Sequence, residues 1–225
     1  MNEPIVRLTS STTVYDRIRD DILSGALAPA LKLRIEFVCD RYGTGASPVR
    51  EALNRLSSEG LVERRDQRGF YVSQVSLEQL DELVKTRCWL EGLALKESIL
   101  HRTTAWEEGL VIAFHRLSRT PRSLDRAAYA FNPEWEERHR DFHHALIANC
   151  GSSWLLGFCR DMRDQADRYR RLAAARAYPE RQGPDEHRVI MEAAIDGDID
   201  RAVDLLQQHY RKTRSIIRED FQVEA

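Results

Sequence analysis

Four histidines in the C-terminal half of the chain could do chemistry together. His139 and His143 are four residues apart, so on an α-helix they stand about 40° apart and about 6 Å along the axis, within reach of one ion. His187 opens a later helical stretch and His209 lies on the last one. If these stretches are neighbours, four imidazoles converge in a nitrogen-rich cage that suits zinc, nickel or another transition metal and leaves positions open for a ligand. Taken singly, each histidine reads as a surface residue or a satisfied core residue rather than as a ligand. A zinc peptidase would carry Glu directly after the first histidine; here that position is Arg140, and Asp141 projects about 200° away from His139. The general base of that motif is therefore absent. No GxSxG, Walker loop or GxGxxG follows a strand-like run, which argues against serine-hydrolase and nucleotide chemistry. A metal-dependent hydrolase and a metal-only sensor stay open as alternatives.

A second stretch carries a different chemistry. Gly43-Thr44-Gly45-Ala46 reads as a tight turn, Ser47 as a helix N-cap and Pro48 as the first helical residue, where a missing N–H costs nothing. Val49, Ala52, Leu53 and Leu56 repeat at helical spacing and should face a core, leaving Ser47, Arg50, Asn54 and Arg55 on or beside the free face. A free helix N-terminus attracts anions, and Arg suits guanine edges and phosphates, so the stretch fits a DNA recognition helix. An ordinary helical hairpin with a solvated face gives the same signal.

The elements that must position these residues follow from the pattern. A helix from Thr12 or Thr13 carries Val14, Tyr15, Ile18, Ile22 and Leu23 and stops at Ser24-Gly25; Leu33 to Tyr42 predicts a second helix, with Ile35, Val38 and Cys39 inward. After the third helix, Leu61–Arg64 and Gly69–Val75 read as two strands joined by Arg65-Asp66-Gln67-Arg68. Three helices and then a β-hairpin is the order of a winged helix-turn-helix. Its wing puts Arg64, Arg65 and Arg68 beside Gly69, where cations can meet phosphate and a small residue permits close approach. From Ser76 onward the chain predicts an all-α antiparallel helical bundle of about six helices, at 76–100, 107–117, 133–149, 153–177, 183–196 and 199–221, with 118–131 as a long connection. The fold class is mainly α, divided into a frayed N-terminus (1–11), a winged helix-turn-helix (12–75) and a helical domain (76–221).

Composition bounds the rest. The net charge is −2 with a pI of about 6.4, so a basic patch for nucleic acid must be local. Four cysteines without a CxxC fit reduced thiols better than a disulfide framework. With no leader and no apolar run near the roughly 20 residues that span a bilayer, the expectation is a soluble, cytoplasmic protein with no membrane segment.

The residues also carry a resemblance. Val14-Tyr15-x-x-Ile18-x-x-x-Ile22-Leu23-Ser24-Gly25-x-Leu27-x-Pro29, followed by Ser47-Pro48-Val49-Arg50-Glu51-Ala52-Leu53-x-x-Leu56-x-x-Glu59-Gly60-Leu61-Val62, resembles the winged-helix domain of GntR-family transcription regulators. Leu83-x-x-x-Arg87-x-x-Leu90-Glu91, Phe142-His143-x-x-Leu146-x-x-x-Cys150-Gly151, Glu186-His187-Arg188, Gly197-Asp198 and His209 resemble the FadR-type effector domain, called FCD. The likeness runs from about Thr12 to Thr213.

The resemblance implies a dimeric regulator, more often a repressor, with Ser47, Pro48, Arg50, Asn54, Arg55, Arg65, Arg68 and Gly69 toward double-stranded operator DNA. It implies a metal held by His139, His143, His187 and His209, where most members have Asp at the position of His139. Replacing that carboxylate by imidazole raises the charge of the site by one and favours an anionic effector or a different metal. Arg87 would anchor a small carboxylate through charge-assisted bonds, or equally be the structural partner of Glu91 one turn on. Many members read Ser-Arg-Thr-Pro where this chain has Gly45-Ala46-Ser47-Pro48, and Glu36 stands at a commonly basic position, so the operator should differ from the usual one. The Gly-Ala-Ser-Pro variant with the His-x-x-x-His pair is similar to carbon-starvation regulators, which implies a dicarboxylate such as glutarate.

Overall fold

The computed structural model describes residues 10–125, 129–173 and 183–222. The N-terminal stretch 1–9, the C-terminal end of the expected fourth bundle helix (174–177) and most of the Tyr178–Pro184 punctuation lie outside them. The chain divides into two compact units, Met1–Ser76 and Leu77–Ala225.

The first unit holds α1 (Ser10–Leu23), β1 (Lys32–Leu33), α2 (Ile35–Tyr42), α3 (Ala46–Ser58), β2 (Val62–Arg65) and β3 (Gly69–Val72). Its core gathers the apolar stripes read from the sequence: Ile18, Ile22 and Leu23 of α1, Val38 of α2, and Val49, Ala52, Leu53 and Leu56 of α3 are all buried. Each fully buried Leu or Ile contributes about 1.5–3 kcal/mol, so this stripe sets where α3 sits. Asp21 adds a polar tie, accepting from Arg41 Nε at 3.0 Å and from the Tyr42 hydroxyl at 2.7 Å. Arg17 Nη1 donates to the Tyr42 carbonyl at 3.1 Å. Gly43 then closes α2 in the left-handed region at φ 64°, a conformation that glycine adopts without penalty, and the chain turns into α3.

Two expectations are corrected here. Leu33 does not open α2; it lies with Lys32 in a short third strand that pairs antiparallel with β3, Lys32 opposite Tyr71 and Leu33 opposite Phe70, in the order β1-β3-β2. The pairing satisfies the second edge of β3 while burying the Leu33 side chain. Two residues are too few to show alternation, which is why the sequence hid the strand. Nor is Ser47 the N-cap of α3: Gly45 is, without a side-chain bond, so Pro48 is the third helical residue. Proline is still tolerated there, because the first-turn N–H groups have no intrahelical partner.

The second unit is a bundle of α4 (Leu77–Leu100), α5 (Thr104–Arg119), α6 (Pro133–Ile147), α7 (Ser153–Ala173), α8 (Gly183–Asp196) and α9 (Ile199–Gln222). The central helix α4 packs on α9, α7 and α6. At Gly92 a Cβ would sit 3.2 Å from Gln207 Nε2 and 3.4 Å from Val203 Cγ1, so a glycine lets α4 and α9 approach closely. The four cysteines are free thiols. Among the described residues no helix is long and apolar enough to cross a membrane.

Candidate functional site

Three helices carry the histidines, and local signals set their register. Asn132 caps α6, its Oδ1 accepting from Glu134 N at 3.1 Å, with Pro133 at the first helical position. That start fixes His139 and His143 on the face shared with buried Phe142 and Leu146. Asp198 caps α9 through Arg201 N at 3.2 Å; His187 lies eleven residues before it and His209 eleven after, so a helical hairpin folded at this point brings the two rings level.

All four imidazoles are buried and offer ligand atoms within 4.8 Å of one another. His143 Nε2 lies 3.2 Å from His139 Nε2, and the His187 and His209 ring centroids are 4.8 Å apart. Donors on a tetrahedron with metal–nitrogen bonds of about 2.1 Å are about 3.4 Å apart, so small ring rotations suffice for one ion. The donor set fits a transition metal: burial first, then the neighbouring rings and arginines, hold His139 and His143 far below the ordinary histidine range, leaving the neutral imidazoles a metal requires.

Hydrogen bonds behind the rings orient them. The His209 Nδ1 atom is 2.7 Å from Glu186 Oε2, and Lys212 also pairs with that carboxylate. His143 Nδ1 is 3.2 Å from the Tyr210 hydroxyl, which donates to Glu91 Oε2. The Tyr210 phenol is pushed well above its usual value, by burial first and then by Glu91. His139 is held by packing instead, its ring stacked on Trp135 at 4.7 Å and 20°. Asp141 is exposed and pairs with Arg138, away from the rings.

A cavity lies against the quartet, lined also by Arg87, Arg122, Trp135, Arg163, Arg170 and Arg214. Arg87, the anchor expected from the sequence, reaches it but already has a partner: its Nε donates to Glu91 at 2.8 Å, and its guanidinium lies 4.0 Å over the Tyr210 ring. Arg170 is likewise held by Glu136 at 2.9 Å and Asp167 at 3.0 Å. Arg163 differs. It is buried, donates to the Arg140 carbonyl at 3.3 Å, and has no carboxylate within ion-pair reach among the described residues. The sequence reading missed it. One signal was available: Arg163 falls four residues after Cys159 and three before Ala166, on the buried stripe of α7.

On the first unit, Ser47, Arg50 and Asn54 are exposed on α3 and Pro48 is half-buried beside them. Arg55 is exposed as well, but its guanidinium packs 3.8 Å over the Tyr15 ring and lies 3.4 Å from Glu59, which accepts from the Tyr15 hydroxyl at 2.7 Å. An aromatic face and a carboxylate draw it back toward α1. In the wing, Arg65 pairs with Glu63 at 2.9 Å and covers Tyr71 at 4.4 Å, whereas Arg64, Arg68 and Gly69 are exposed at or beside the tip.

Known proteins share this chain's sequence pattern and fold. The chain is 38% identical over 206 residues to the HTH-type transcriptional regulator BphR of Paraburkholderia xenovorans (strain LB400), covering 91% of this chain and 84% of that one. It is 31% identical over 209 residues to the HTH-type transcriptional repressor GlaR of Escherichia coli (strain K12), covering 91% and 94%. Among solved structures, E. coli McbR/YncC superposes with a TM-score of 0.73 at 19% identity, over 95% of this chain and 99% of that one. A GntR regulator from Rhodococcus sp. RHA1 gives 0.72 at 20%, over 92% and 96%; at such identities these two speak for the fold alone. Residues 10–72 match the gntR family of bacterial regulatory proteins and residues 82–212 match the FCD domain. With a winged helix in front of an FCD bundle, this chain belongs to the gntR family and is a DNA-binding transcription regulator.

Proposed function

We propose that this regulator is a repressor that binds a palindromic operator as a homodimer, and that a small carboxylate, bound at an ion held by His139, His143, His187 and His209, controls its affinity for DNA. The observation that carries the reading is the convergence of four buried imidazoles against a cavity with buried arginines. An ion there offers a carboxylate an open coordination position, and Arg163 offers a charge not yet matched by an acid. A dicarboxylate of the glutarate kind could reach both. Zinc and nickel suit the all-nitrogen donor set best.

The cavity has an interior volume of about 40 Å³, room for a few waters at about 10–15 Å³ each. An organic acid therefore enters by displacing side chains. That gives the effector a different affinity for two arrangements of the bundle, which any switch needs. The DNA contacts fall to Arg50, Ser47, Pro48 and Asn54 on α3 and to Arg68 and Gly69 in the wing, with Arg55 and Arg65 acting partly through their internal partners. Dimerisation is supported by apolar side chains left exposed on two helices that pack together, Trp89, Leu93 and Leu100 on α4 and Trp154 and Phe158 on α7, a surface that suits a second copy.

The test is a thermal-stability screen of mono- and dicarboxylates with and without chelator, paired with operator binding at fixed salt. A carboxylate that raises the melting temperature only with metal present, and releases DNA, is the expected result. Stabilisation and DNA release by metal alone would make the protein a metal sensor, and turnover of any substrate would make it a hydrolase.

A further inference from the structure

We propose that Tyr210 is a positioning residue of the imidazole site: its hydroxyl, anchored on Glu91, holds His143 with the proton on Nδ1 and turns a bare Nε2 toward the other rings. This rests on the ion-binding reading above.

Glu91 faces two donors, Arg87 Nε at 2.8 Å and the Tyr210 hydroxyl at 2.5 Å. A carboxylate paired with a guanidinium only accepts, so the single phenolic proton points at Glu91. The phenol oxygen, 3.2 Å from His143 Nδ1, then has only lone pairs to offer that ring. The hydrogen bond forms with Nδ1–H as donor, and the neutral imidazole is left with its lone pair on Nε2. That atom is the one facing His139 Nε2 at 3.2 Å. The opposite tautomer would place two lone pairs against each other at Tyr210 and lose the bond altogether.

The surroundings make the assignment rigid. Arg87, Glu91 and Tyr210 are all buried, and the Arg87 guanidinium closes the group by lying 4.0 Å over the phenol ring. His143 comes from α6, Tyr210 from α9 and Glu91 from α4, so one hydroxyl joins three helices at the site. His209 uses the same device without a spacer, with Glu186 directly on its Nδ1 at 2.7 Å. His139 has no partner on Nδ1 among the described residues and depends on stacking. His143 and His209 thus each have the free nitrogen fixed by an acid behind the ring, for His143 through a phenol. Partners of this kind behind a ligand are typically worth 10–100-fold in metal affinity.

The experiment uses the full-length protein and the variant Tyr210→Phe, which deletes one oxygen and keeps the ring against Arg87. Zinc affinity is measured by competition with a chelating indicator, and the histidine tautomers of the metal-free protein are read from ¹⁵N side-chain shifts. The expected outcome is His143 protonated at Nδ1 in the parent, a mixture of tautomers in Tyr210→Phe, and zinc binding weakened about 10–100-fold. A parent protein with His143 protonated at Nε2 overturns the proposal whatever the variant does. So does a variant that binds zinc as tightly as the parent while His143→Asn does not, a result that leaves the ion site standing. A parent that binds no zinc, nickel or cobalt overturns both readings.

Discussion

His143 Nε2 and His139 Nε2 face each other at 3.2 Å, one turn apart on α6 and both out of water. Two imidazole nitrogens so placed can share one proton between them, or both can turn their lone pairs on a cation. The second arrangement satisfies more of the buried nitrogen. A ligand that binds only the native state stabilises it by about 4 kcal/mol when present at a thousand times its dissociation constant. Added zinc or nickel should therefore raise the unfolding midpoint by several degrees, and a strong chelator should reverse the rise. Calorimetry with and without chelator checks this. An unchanged midpoint for every divalent transition metal would remove the ion from the account.

The same burial predicts how the metal-free protein responds to acid. His139 and His143 are held well below their ordinary value, by desolvation first and by neighbouring cations second. Above about pH 6.5 both rings are neutral in the folded and unfolded chain and contribute nothing to the pH dependence. Below it the unfolded chain takes up protons that the native state refuses, so stability is lost as the pH falls. Urea titrations in chelator at pH 7.5 and 5.5 should show the loss, with a smaller loss for His143→Asn. A parent protein equally stable at both values would show that the rings protonate within the fold.

Much of this site could be read from residue spacing. The i, i+4 pair on α6 and the symmetric placement of His187 and His209 about the α9 cap are periodic features, and periodicity survives folding when each helix buries one face. The stripe Val49, Ala52, Leu53, Leu56 fixed α3 in the same way. What stayed hidden depended on contacts between distant residues. Nothing local marks Lys32-Leu33 as a strand, since its partner is Phe70-Tyr71. The partner of exposed Arg55 was hidden because Tyr15, on which it stacks, lies forty residues earlier. Arg163 is one of five arginines on α7, and only the packed bundle separates it from Arg170, which has two acids beside it.

That separation sets opposite expectations for two arginines lining one cavity. Arg163→Met removes a buried cation without leaving an acid behind, so the fold should tolerate it while carboxylate affinity drops. A hydrogen bond to a charged group is worth about 1.5–3 kcal/mol, or roughly 10–100-fold in binding. Arg87→Met instead strands Glu91 in the interior, and breaking a buried pair from one side costs about 3–5 kcal/mol. Unfolding midpoints and calorimetric titration of a stabilising dicarboxylate distinguish the two variants. A severe loss of stability in Arg163→Met, or unaltered carboxylate affinity, would return the anchoring role to Arg87.

On the DNA-binding unit the contrast lies between two arginines of one helix. Arg50 is exposed near the start of α3 with no ion pair among the described residues, so its charge is available to a base edge or a phosphate. Arg55 is engaged with Tyr15 and Glu59 nearer the C-terminal end of the same helix. Arg50→Ala should weaken operator binding by about 1–3 kcal/mol and leave the melting temperature alone, whereas Arg55→Ala should lower the melting temperature and affect DNA less. The salt dependence assigns the Arg50 contact: losing a phosphate contact reduces the slope of log affinity against log salt by about one, whereas losing a base contact leaves the slope and relaxes discrimination at one operator position. Operator binding by Arg50→Ala equal to that of the parent at every salt concentration would show that α3 enters the groove on another face.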